Sequence, residues 1–80
     1  MPMKYVRFPG KDFDVIVIFT PNINHIEIAK QHEYEHWKPT SAGFINILHG
    51  GIRISGRSSS LNLGPAEDDA EIVAAFMAAV

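Results

Sequence analysis

The chain has 80 residues, 46% hydrophobic and 20% charged, with a net charge of −2 when histidine is counted as neutral. That length allows one domain, residues 1–80, with a modest core, and the composition excludes a disordered polymer. The chain has no cysteine, which excludes disulfides, and its seven lysines and arginines are scattered, so it lacks the basic face that a phosphate backbone demands and no nucleic-acid partner is expected.

Tyr5 to Phe8 alternates in β-forming residues and reads as a first strand. Pro9-Gly10-Lys11-Asp12 has turn chemistry, with proline presetting φ and glycine permitting positive φ. Phe13 to Thr20 is the strongest strand in the sequence. Val15, Val17 and Phe19 form one row and Ile16 and Ile18 the other. With both rows apolar, the pattern predicts a central strand covered on both sides. The stretch from Val15 to Phe19 is also the longest apolar run, far too short to cross a bilayer. The start Met1-Pro2-Met3-Lys4-Tyr5 lacks a signal-peptide run. A cytoplasmic protein with no membrane partner is expected.

Asn22 or Asn24 is placed to cap a helix by accepting a backbone N–H bond. That helix runs from about His25 through Gln31 and toward His36, and Pro39 stops it. Ser41 to Leu48 reads as a third strand, with Gly43 leaving room for a close neighbour. His49-Gly50-Gly51 suits a hairpin connection, and Ile52 to Ser55 begins a fourth strand. Ile52 and Ile54 are then out of phase with Leu61 and Leu63. One regular strand cannot bury both pairs on one face, so an interruption at or beside Gly56 is expected. Gly64-Pro65 opens the last helix. Carboxylates follow in its first turn, where the helix dipole favours them. Ile72, Val73, Phe76 and Met77 make its apolar stripe, with Phe76 at the centre and expected to be among the most buried side chains. The order β-β-α-β-β-α predicts an α+β fold: a four-stranded, mainly antiparallel sheet with both helices on one face.

Ser41-Ala42-Gly43-Phe44, Gly56-Arg57-Ser58-Ser59-Ser60-Leu61-Asn62-Leu63 and Glu67-Asp68-Asp69-Ala70-Glu71 together resemble a group of short bacterial and prophage-borne proteins with no assigned activity. The resemblance spans Asn24 to Val73. It implies a cytoplasmic accessory protein and brings no catalytic or binding residues with it.

Three segments bear on chemistry. His32-Glu33-Tyr34-Glu35-His36 spells H-E-x-x-H. On a helix, His32 and His36 would share a face as zinc ligands and Glu33 would polarise the bound water as general base. A third ligand would come from His25, His49, Glu67, Asp68 or Asp69. Against this zinc-dependent hydrolase stand the helix end enforced by Pro39 and a chain too short to build a cleft. The favoured reading has no metal, no cofactor and no catalytic residue. Arg57, Ser58, Ser59 and Ser60 form a candidate anion or contact site if their hydroxyls and free N–H groups converge, and otherwise a polar bulged strand. Tyr34 and Trp37 are candidate contact aromatics. With both helices on one face, one apolar row of the Phe13–Thr20 strand would stay in water, so a homodimer burying Ile16 or Ile18 is expected. The resulting expectation is a small non-catalytic protein-interaction or accessory protein.

Overall fold

A computed structural model describes residues 2–32 and 38–78. The elements are β1 (Met3–Phe8), β2 (Val15–Phe19), α1 (His25–His32), β3 (Ser41–Leu48), β4 (Gly51–Ser55) and α2 (Asp69–Ala78). The strands form one sheet in the order β2-β1-β3-β4, and every neighbouring pair is antiparallel. Among the described residues no helix is long and apolar enough to cross a membrane.

The alternation along β1 divides the core in two. Val6 and Phe8 join Phe19, Ala42 and Ile28 of α1 in one buried cluster. Tyr5 joins Ile16, Ile45 and Val73 of α2 in another. Successive side chains of a strand point to opposite faces, so α1 covers one face of the sheet and α2 the other. This corrects the expectation that both helices share a face. It also corrects the central placement of β2, which pairs only with β1 among the described residues and forms an edge. Two apolar rows on β2 record a sheet covered on two faces. They carry no information about which strand lies in the middle.

The phase break after β4 has the same origin. Ile52 and Ile54 pack with the α2 cluster, whereas Leu61 and Leu63 pack with the α1 cluster. The chain does not bulge to bring both pairs onto one face. It leaves the ladder after Ser55 and passes to the opposite face. Gly56 makes the exit at φ 70°, and a Cβ there would lie 2.7 Å from Cδ1 of Phe44. The approach foreseen at Gly43 is filled from within the chain: a Cβ would lie 3.1 Å from Pro65 Cγ and 3.2 Å from Tyr5 Cε1.

Local signals set the helix starts. Asn24 opens α1: its backbone N–H donates to Glu27 Oε2 at 3.0 Å and its carbonyl accepts from the Glu27 N–H. Glu27 thereby supplies one half of a capping box. α2 begins at Asp69, later than Gly64-Pro65 suggests, because Asp69 reaches back to accept the Ala66 N–H at 2.9 Å and holds residues 66–69 as a turn. Val73, and not Phe76, is the deepest apolar residue of α2. Phe76 is half-buried.

The difference in depth has a measurable consequence. Phe76→Ala is expected to cost about 1–2 kcal/mol, below the ~3–5 kcal/mol of a fully enclosed phenylalanine. Val73→Ala is expected to cost about 2 kcal/mol, although it removes far fewer atoms. Urea unfolding of the two variants beside the parent checks the ranking.

Candidate functional site

The most concentrated polar geometry lies where α2 meets β1 and β3. Asp69 is fully buried. Its Oδ1 accepts from Arg7 Nη1 at 2.8 Å and from the Ser41 hydroxyl at 3.0 Å. Its Oδ2 accepts from the Tyr5 hydroxyl and from the Ala66 N–H. Arg7 also donates to Asp68 at 2.7 Å and through Nε to Asp14 at 2.7 Å. Register explains the convergence: Arg7 pairs with Ser41 across β1 and β3, so both side chains rise on the α2 face beside Tyr5. Burial by itself would raise the Asp69 carboxyl. The hydrogen bonds from Tyr5, the Ala66 N–H, Arg7 and Ser41 outweigh that and hold it below the usual carboxylate range. Burial pushes the Tyr5 phenol up, and its bond to Asp69 pushes it further. Tyr5, Ser41 and the Ala66 N–H donate to this carboxylate and Arg7 shares its donors among Asp69, Asp68 and Asp14, so the cluster joins β1, β3 and the start of α2.

The histidine pentapeptide falls outside the described residues apart from the backbone of His32, which closes α1. Glu33, His36, Tyr34 and Trp37 therefore have no structural account. His25 is buried. Its ring stands edge-on between Phe19 and Phe44, with centroids 5.4 Å from each. Its Nε2 lies 2.9 Å from the Gly43 carbonyl oxygen. A carbonyl only accepts, so Nε2 carries a proton and donates it. Desolvation holds the imidazole pKa below its ordinary value, and Lys4 adds to the effect. His49 sits exposed on the turn between β3 and β4. Among the described residues no three His, Asp or Glu side chains are arranged to hold a metal.

The Gly56–Ser60 segment forms a tight loop that sequence reasoning missed. Ser58 and Leu63 exchange two backbone hydrogen bonds, and Asn62 adopts φ 56°. The Ser58 hydroxyl accepts from Leu61 N–H at 3.2 Å, and the Ser60 hydroxyl accepts from Ile26 N–H at the start of α1 at 3.3 Å. Arg57 donates to Asn62 at 2.8 Å. Ser59 is exposed. The hydroxyls of Ser58 and Ser60 thus accept within the loop and at the helix start, and Arg57 is tied to Asn62 through one nitrogen.

An apolar groove of about 350 Å³ lies between the edge strand and α2, lined by Ile16, Ile18, Phe76 and Met77. Phe13, just before β2, is 70% exposed. Ile47 and Leu48, at the end of β3, are also exposed, and as neighbours on one strand they face opposite sides. The groove runs beside the outer edge of β2, one of the two edge strands of the sheet, the other being β4. The pairing of Ile16 with Ile18 was legible from alternation; Phe76 and Met77 joined them only because α2 crosses the same face.

Acid should act in two stages. His25 and Asp69 both bind protons more weakly in the folded chain than in the unfolded one, so lowering the pH favours unfolding. Stability is expected to fall first below the ordinary imidazole value of 6.5 and again below the ordinary carboxylate value of 3.8. Urea midpoints measured across pH should lose the upper limb in His25→Gln and keep the lower one. At neutral pH, Asp69→Asn is expected to cost about 2–4 kcal/mol, because it unbalances a buried charge-assisted network, and Tyr5→Phe about 1–3 kcal/mol. Protein purified without an affinity tag is expected to hold well under one zinc per chain by elemental analysis. Stoichiometric zinc that disappears in His32→Ala/His36→Ala would instead assign the pentapeptide to metal.

Comparison with protein-family models, with curated proteins and with solved structures found no match for this chain.

Proposed function

We propose that this chain is a small non-catalytic interaction module that meets its partner through the outer edge of β2 and the groove beside it. The observation that carries the reading is the composition of that edge. Val15–Phe19 contains no charge, no proline and no glycine. These are the devices by which sheet edges are usually protected from pairing. A partner strand added there would gain main-chain hydrogen bonds from the edge and side-chain contacts from the groove. The polar clusters support the same view, since the carboxylate of Asp69, the imidazole Nε2 of His25 and the hydroxyls of Ser58 and Ser60 are occupied within the fold. An accessory role in a bacterial or prophage setting is the context that the sequence resemblance suggests.

Photo-crosslinking in living cells tests the surface. A benzophenone amino acid placed at Phe76 or Phe13 is expected to give discrete adducts. The same group at Arg53 or Lys30, both exposed away from the groove, is expected to give none. Equal labelling from all four positions, or none from Phe76 and Phe13, would remove the proposal.

A further inference from the structure

The geometry points to a second copy of this chain as the occupant of that edge, with two β2 strands paired antiparallel about a two-fold axis at Val17 to make one eight-stranded sheet. This rests on the reading of the β2 edge as a contact surface and names its partner.

The occupant must bring an unpaired strand of similar length that is apolar on both faces, flanked on one face by further apolar surface. β2 and α2 of another copy bring these features in the same arrangement, as a two-fold interface requires. In an antiparallel pair, residues directly opposite each other share a face. Centring the axis on Val17 pairs all five residues. Val15 lies opposite the partner's Phe19, Ile16 opposite the partner's Ile18, and Val17 opposite the partner's Val17. Ile16 and Ile18 face the α2 side in both copies, so the two grooves become one. Val15, Val17 and Phe19 continue the α1-side core across the axis in the same way.

The flanks agree with this register. Beyond the strand ends, Asp14 falls beside the partner's Thr20, so the strand's flanking carboxylates do not meet each other as they would in a parallel pair. Asp14 is already paired with Arg7 at 2.7 Å. One step further, Pro21 lies in the turn that follows β2. Pro21 has no N–H to continue the ladder, so pairing stops there.

Sedimentation equilibrium of the unmodified chain at micromolar concentration is expected to give twice the 8.9 kDa of one chain. Met77→Glu, on the half-exposed rim of the groove, should weaken association on the order of 100-fold or more, as an unpaired charge in an apolar contact does, with the circular dichroism spectrum unchanged. The register is read separately by oxidation, since the chain has no cysteine of its own. Val17→Cys should form an interchain disulfide readily, because the two thiols face each other across the axis. Val15→Cys should not, because its two copies lie about 14 Å apart in this register, beyond disulfide reach. A dimer in which Val15→Cys bridges and Val17→Cys does not would overturn the register. A monomer throughout the micromolar range would overturn the second copy as partner. In that case Phe76 adducts to another protein would leave the contact surface standing, and their absence would remove both.

Discussion

The carboxylate of Asp69 ties three separate parts of the chain together. It takes the Tyr5 hydroxyl and Arg7 guanidinium from β1, the Ser41 hydroxyl from β3 and the N–H of Ala66 from its own turn. A buried carboxylate is costly unless its oxygens are satisfied, and here each oxygen accepts two hydrogen bonds. The arrangement therefore has a narrow tolerance. It fixes where α2 starts, which face of the sheet it covers and how far Val73 reaches into the core. Arg7 extends the constraint to Asp14, at the entry to β2.

On the opposite face, α1 is held by softer means. Ile28 packs with Val6, Phe8 and Phe19, and the neutral His25 ring lies between two aromatic rings with its N–H on Gly43. The Ser58–Leu63 loop completes this side by setting Leu61 and Leu63 into the same cluster and the Ser60 hydroxyl at the first turn of α1. One face thus depends on a charged network and the other on aromatic and aliphatic packing around a titratable ring. This asymmetry is why acid is expected to act through a different group on each face.

The same two-sided covering creates the surface proposed for contact. α2 packs Val73 against Tyr5 of β1 and Ile45 of β3, while Phe76 and Met77 line the groove beside β2. Had both helices shared a face, the uncovered row of β2 would have been a broad flat patch. With helices on both faces, what remains open is the two strand edges, β2 and β4, and a narrow groove beside β2. Such a site favours partners that add a strand, which is the ground on which a second copy is proposed as its occupant.

Local pattern determined a good deal. The strands, the two helices, the exit at Gly56 and the apolar rows of β2 follow from alternation, turn residues and helical spacing, all of which act within a few residues. Only the tertiary structure decided which face each element covers and which strand lies at the edge. Alternation tells which side chains travel together, and it is silent on whether Tyr5 or Val6 meets a given helix. The phase break between Ile54 and Leu61 had two solutions, a bulge or a change of face, and long-range packing chose the second. Asp69 read as helix-start electrostatics, and its partners Tyr5, Arg7 and Ser41 lie 64, 62 and 28 residues away in the chain. Interactions of that span depend on the register of β1 against β3, which no local signal carries.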